Sequence, residues 1–129
     1  MIHALAGAAV RLATQARARA LVPFTISGRT ASVLATWRPN VPIHAASDRE
    51  RTCRRLCFWR GVHPRRLRRA DDLARMTDDA IRDLLRRKLV AVDDVVVFLG
   101  GTALEAGTSN LLKLHRVGAD DARRAARGG

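Results

Sequence analysis

The 129-residue chain has no tyrosine, only two cysteines, few acids and no apolar run of membrane-spanning length. Each shortage excludes something. A transmembrane helix needs about 20 mostly apolar residues in a row, so no membrane span and no membrane partner are expected. The Ala-rich first twenty residues are broken by Arg11, Arg17 and Arg19. They lack the order of a signal peptide, basic first and apolar next, so the expected location is the cytoplasm. Cys53 and Cys57 cannot make a disulfide framework, and no further cysteine is at hand for a zinc site. Four residues apart, they share one helical face and read as free thiols in a reducing compartment. Neither a metal nor a cofactor is expected.

The scarcity of acids leaves a large imbalance. Twelve acidic residues face 24 basic ones, for a formal net charge of +12, and all the basic residues except Lys88 and Lys113 are arginine. Eight arginines fall between positions 51 and 69, with no acid among them. Such a stretch attracts polyanions. Single-strand binders interleave aromatics with their cations, and here only Phe58 and Trp59 lie nearby. An arginine bias with abundant alanine also fits GC-rich coding. The 51–69 stretch is therefore read as a solvated basic face, with nucleic-acid binding ranked below that.

What is present is an alternation of helix and strand signals. The length fits one domain with a real core. Residues 3–17 carry Leu5, Ala8, Ala9, Leu12 and Ala16 on one helical side. Residues 20–24 suit a short buried strand, although Pro23 removes a ladder donor and is disfavoured in a central strand. A helix from 29 to 37 must stop before Pro39. Residues 41–46 make a second strand. Ser47 or Asp48 can cap a helix over 48–59, closed by Gly61. Residues 62–64 form a brief third strand. The clearest helix spans 71–88, where Leu73, Met76, Ala80, Ile81, Leu84 and Leu85 keep the 3.6 period and Arg86, Arg87 and Lys88 favour the negative end of the dipole. Residues 94–99 are a β-branched strand, 100–109 a Gly-bearing loop and 110–117 a last strand. The segment 119–129 is expected to be a flexible polar tail beyond a domain of residues 1–118.

This alternation predicts a three-layer α/β fold: a mostly parallel five-stranded sheet with helices on both faces. The last strand follows its predecessor without a helix, so it is expected as an antiparallel edge.

The best candidate site is the turn Thr25-Ile26-Ser27-Gly28-Arg29-Thr30. It leaves a strand and opens a helix, where free backbone N–H groups and the positive dipole end suit a phosphate. Thr25, Ser27 and Thr30 add hydroxyls, Gly28 permits close backbone approach, and Arg29 can grip a phosphate with its forked guanidinium. A well-capped helix without a ligand explains two of these residues equally well. A second Gly-bearing loop, with Gly100, Gly101, Thr102, Gly107, Thr108, Ser109 and Asn110, matches neither the dinucleotide fingerprint nor the phosphate loop. His3, His44, His63 and His115 are scattered singly. No nucleophile–base pair can be nominated, so no catalytic residue is named and no activity is expected of the chain by itself.

Three ordered segments resemble the C-terminal α/β domain of pyruvate kinase. The first is Thr25-x-Ser27-Gly28-Arg29-Thr30 with Trp37-Arg38-Pro39. The second is Val41-Pro42-Ile43 with Arg60-Gly61-Val62-His63-Pro64. The third is Asp94-Val95-Val96-Val97, then Gly107-Thr108-Ser109-Asn110 and Leu114-His115-Arg116-Val117. The resemblance covers nearly all of residues 2–117. It implies a five-stranded sheet and an allosteric domain in which Thr25, Ser27, Gly28, Arg29 and Thr30 hold the phosphate of a phosphosugar or nucleotide. It places Gly101, Gly107 and Thr108 near that ligand. The catalytic barrel of the enzyme has no counterpart here, and Ile26 replaces a residue that is usually charged. The expectation is a stand-alone noncatalytic regulatory module, with the 110–117 edge as a candidate homodimer contact. The alternative is a split piece that docks on a separate barrel chain.

Overall fold

The computed structural model describes residues 2–70, 72–100 and 111–127. The elements are α1 (Ile2–Gln15), β1 (Ala20–Pro23), α2 (Arg29–Thr36), β2 (Ile43–Ser47), α3 (Glu50–Leu56), β3 (Val62–Arg66), α4 (Leu73–Arg86), β4 (Val95–Gly100), β5 (Leu111–Arg116) and α5 (Ala119–Arg127). The strands form a five-stranded sheet in the order β3-β2-β1-β4-β5. The first four run parallel, and β5 returns antiparallel along β4, from Val95↔Arg116 to Gly100↔Leu111. The expected fold class is the observed one.

Side chains of each strand alternate between two cores. Leu21, Ile43, Ala45, Val62, Val97 and Leu99 meet α1, α2 and α3 on one face. Ala20, Val22, Ala46, Val96 and Phe98 meet α4 on the other, where Ala80, Ile81 and Leu84 form its buried stripe. α1 lies close because its buried positions are small: Ala6, Gly7, Ala9 and Ala13. A Cβ on Gly7 would stand 2.9 Å from two Trp37 ring carbons, so the indole at the end of α2 packs where glycine leaves room. Asp72 caps α4 by accepting from the Arg75 N–H at 2.7 Å.

Pro23 sits in the central strand without breaking it. The N–H groups of Leu21 and Thr25 both donate toward β2, to Pro42 and Ala46. By alternation the missing Pro23 donor faces β2 as well. One rung of that ladder is lost, and the same register resumes at Phe24↔Ala46. Pairing with β4 is continuous from Ala20↔Val96 to Pro23↔Leu99.

The segment expected as a flexible tail is helical over its described residues. Residues Ala119–Arg127 form α5, which packs on α4. Asp121 Oδ2 accepts from the Gly118 N–H at 2.9 Å and lies 3.0 Å from His115 Nε2. Arg86 Nε donates to the Ala125 carbonyl at 3.2 Å, and Arg124 pairs with Asp78 at 3.5 Å. Asp120 and Asp121 occupy the first turn and Arg124 and Arg127 the last, matching the helix dipole. Several bounds also move, two of them at the sheet's margin. α3 ends at Leu56 rather than 59, and β3 continues past Pro64 to Arg66.

Candidate functional site

The winding of the sheet reverses between β1 and β4. From β1 the chain steps outward through α2 and α3 to β3, then crosses back beneath the opposite face by α4 to β4. Open α/β sheets place ligands at such a reversal, beyond the carboxyl ends of the strands. The 25–30 turn lies there, at the end of β1. Gly100 ends β4 beside it. A Cβ on Gly100 would stand 3.2 Å from Phe24 Cδ2, and the Phe24 ring in turn stacks on Phe98 at 5.6 Å.

The turn holds itself in shape. Gly28 adopts φ +93°, a left-handed conformation, and is the N-cap residue of α2. Its N–H donates to Thr25 Oγ1 at 2.8 Å, and the Arg29 N–H donates to Ser27 Oγ at 3.3 Å. Thr25 and Thr30 are buried, whereas Ser27 and Arg29 are exposed. Two amides are thus already bonded to the turn's own hydroxyls. Each hydroxyl oxygen that accepts still carries a proton to donate. What the turn offers an incoming anion is therefore the exposed Ser27 hydroxyl and the Arg29 guanidinium, at the positive end of α2. Gly101, Gly107 and Thr108 lie outside the described residues.

Sequence reasoning missed the contribution of α3. Thr52 Oγ1 donates to the Ile26 carbonyl at 2.7 Å, and Arg55 Nη2 donates to the Ser27 carbonyl at 3.0 Å. Leu56 Cδ2 and Thr52 Cγ2 both approach to 3.3 Å of where a Gly28 Cβ would stand. Residues 52, 55 and 56 share a helical face, which was the available signal. A second guanidinium therefore stands at the turn.

The histidines are not all solitary. Parallel pairing sets His44 directly against His63, and their rings lie 5.3 Å apart. Arg65 Nη2 is 3.2 Å from His44 Nδ1. Burial first, then the nearby Arg65 and His63, push the His44 pKa down to about 4, so it is neutral near pH 7. Burial likewise lowers the Arg65 pKa, with Arg87 adding to the effect. His115 is engaged with Asp121 instead. Cys53 and Cys57 are free thiols, and burial raises the pKa of Cys53. Among the described residues no group of three His, Cys, Asp or Glu side chains is placed to hold a metal ion. No helix among them is long and apolar enough to cross a membrane.

Together these features define a doubly wound α/β domain with a hydroxyl-bearing turn at its point of reversal. The chain belongs to the family described as pyruvate kinase, alpha/beta domain, which it matches over residues 3–115. It is 31% identical to a pyruvate kinase of Sporosarcina psychrophila over 119 residues, 92% of this chain and 20% of that protein. It is 35% identical to one of Geobacillus stearothermophilus over 97 residues, 74% of this chain and 16% of the relative. A third, of Agrobacterium vitis, is 33% identical over 117 residues, 90% of this chain and 25% of the relative. The chain spans about a fifth of the length of these curated relatives.

Proposed function

We propose that this domain is a noncatalytic regulatory module that binds a phosphorylated metabolite, a phosphosugar or a nucleotide, at the 25–30 turn. The observation that carries this reading is the pre-bonded turn with Arg29 exposed beside it and Arg55 anchored to the Ser27 carbonyl. A phosphate there meets a guanidinium fork, a serine hydroxyl and the N-terminal end of α2. Charge-assisted hydrogen bonds of this kind contribute about 1.5–3 kcal/mol each. Because the turn is already ordered, little entropy is lost when the ligand arrives. Thermal-shift titration against phosphosugars, nucleotides and inorganic phosphate tests the reading. A rise in Tm that disappears in Arg29→Ala is expected. No rise, or one that persists unchanged in Arg29→Ala, overturns it.

A second reading rests on the share of the relatives that the chain covers. A domain equal to about a fifth of pyruvate kinase is suited to dock on a separate chain carrying the barrel, which would convert phosphoenolpyruvate to pyruvate. Co-expression with a pyruvate kinase barrel chain, followed by affinity capture, tests this. Failure to co-purify removes it. The β5 edge offers a further contact, since it pairs with β4 and ends the sheet. Pairing of two such edges would make a homodimer, which sedimentation reads directly.

A further inference from the structure

The arginines between 51 and 69 gather along one margin of the domain. α3 buries Thr52 and Leu56. That choice turns Arg51, Arg54 and Arg55 outward, and all three are exposed. The helical path continues for another turn, with the Phe58 N–H bonded to the Arg55 carbonyl at 3.3 Å. Positions 51, 54, 55 and 58 therefore form one outward stripe. β3, beside α3, is one of the two edge strands of the sheet. It carries Arg65 and Arg66 on opposite faces and leads to the exposed Arg68 and Arg69. Phe58 and Trp59, in the connection between α3 and β3, are 91% and 42% exposed.

Described ion pairs are sparser on this margin, one arginine in eight, than elsewhere, five in fourteen. Arg19, Arg82, Arg87, Arg123 and Arg124 each have an aspartate partner. Of the eight arginines on the margin, Arg66 alone has a described carboxylate partner, Glu50 at 3.7 Å. Like charges crowded with so few acids are held at an electrostatic cost that a polyanion relieves. A flat phenyl ring left in water among them adds a second kind of contact.

We infer that the α3–β3 margin is a docking surface for single-stranded nucleic acid. Successive guanidiniums match the repeating phosphates of a strand, and Phe58 and Trp59 offer stacking faces to unpaired bases. A duplex would leave those rings unused, because its bases are stacked on one another. An acidic protein or an anionic lipid surface would use the charge without requiring the rings. This surface is distinct from the metabolite turn except at Arg55, so either reading can fail without the other.

Fluorescence anisotropy tests it, using labelled twelve-nucleotide RNA and DNA strands of the same sequence, the corresponding DNA duplex and heparin. Single strands should bind more tightly than the duplex. With five phosphates engaged, raising salt from 50 to 200 mM should weaken binding about 100-fold. Phe58→Ser should weaken single-strand binding about tenfold or more and leave heparin binding unchanged. Its 91% exposure makes the substitution harmless to the fold, which circular dichroism verifies. Arg54→Gln with Arg60→Gln should flatten the salt dependence while leaving the response to phosphorylated metabolites intact. Preference between the RNA and DNA strands identifies which is the partner. Absence of single-strand binding at 50 mM salt overturns the inference. So does equal affinity for duplex and single strand with no effect of Phe58→Ser, which would leave general polyanion attraction only.

Discussion

Arg65 Nη2 stands 3.2 Å from His44 Nδ1, tying neighbouring parallel strands together through a histidine that is only 4% exposed. The guanidinium can only donate, so Nδ1 accepts and the neutral ring carries its proton on Nε2. Protonating Nδ1 would cost this bond and place a second cation against Arg65.

The consequence is a stability that falls in acid. The His44 pKa drops from 6.5 to about 4 on folding, through burial and then Arg65 and His63. Between those values the unfolded chain binds the proton and the folded chain does not. Stability from this group is therefore full above pH 6.5, declines as the pH falls toward 4, and changes no further below that. The shift corresponds to about 3 kcal/mol. Urea unfolding at half-unit pH intervals should show His44→Gln with a flatter profile across this window. Profiles of equal slope would contradict the assignment.

Thr52 fixes the candidate turn from α3 through its bond to the Ile26 carbonyl. Thr52→Val keeps the shape and the methyl contact at Gly28 but leaves that carbonyl without its donor. A loss of about 1–2 kcal/mol is expected, measured by urea denaturation. The metabolite-induced rise in Tm should shrink in parallel. An undiminished rise would separate the turn's order from its binding.

The parts of the fold legible in the sequence were those written in apolar periodicity. The β-branched 95–99 segment and the Ala80-Ile81-Leu84 stripe announced β4 and α4. Their alternation with the other elements implied the parallel sheet. Pro23 was a fair warning, but its effect depends on which neighbour its nitrogen faces, and that is set by register. The His44–His63 pair was hidden for the same reason: the two residues meet because two parallel strands align at those positions. α5 was missed because its packing uses little apolar surface. Asp121, Arg86 and Arg124 hold it by polar contacts to residues distant in sequence or before its first turn. At the candidate site, the turn was visible as a motif. Arg55 was absorbed into a basic run, and only the packing of α3 brings it to Ser27.

Gly28 and Gly61 give a matched pair of substitutions. Both have positive φ, +93° and +79°. A Cβ at Gly28 meets Leu56 and Thr52 at 3.3 Å, while at Gly61 nothing lies within 4 Å. Gly61→Ala should cost about 1–2 kcal/mol from the left-handed backbone alone. Gly28→Ala should cost that and the strain of displacing α3, and should weaken phosphate binding as well. Urea midpoints of the two variants decide it; equal costs would mean that α3 yields freely.

Asp121 joins the last strand to the last helix. Its carboxylate accepts from the Gly118 N–H and lies against His115, whose ring meets Phe98 edge-on at 6.2 Å. Burial disfavours its ionised form, but the Gly118 amide and His115 outweigh that and lower its pKa below the ordinary 3.8. Its contribution is thus complete above pH 3.8 and is lost as the pH falls through the lowered value. Asp121→Ala removes the cap at every pH and should cost about 1 kcal/mol. The loss should be local first, because α5 buries little beyond Ala125. Hydrogen exchange over residues 119–127 should accelerate well before that of β4. His115→Phe keeps a ring against Phe98 while deleting the polar bond. It should therefore speed exchange in α5 less than Asp121→Ala does, since the Gly118 cap survives. If both variants accelerate exchange equally, the His115 contact and not the cap is what secures the helix.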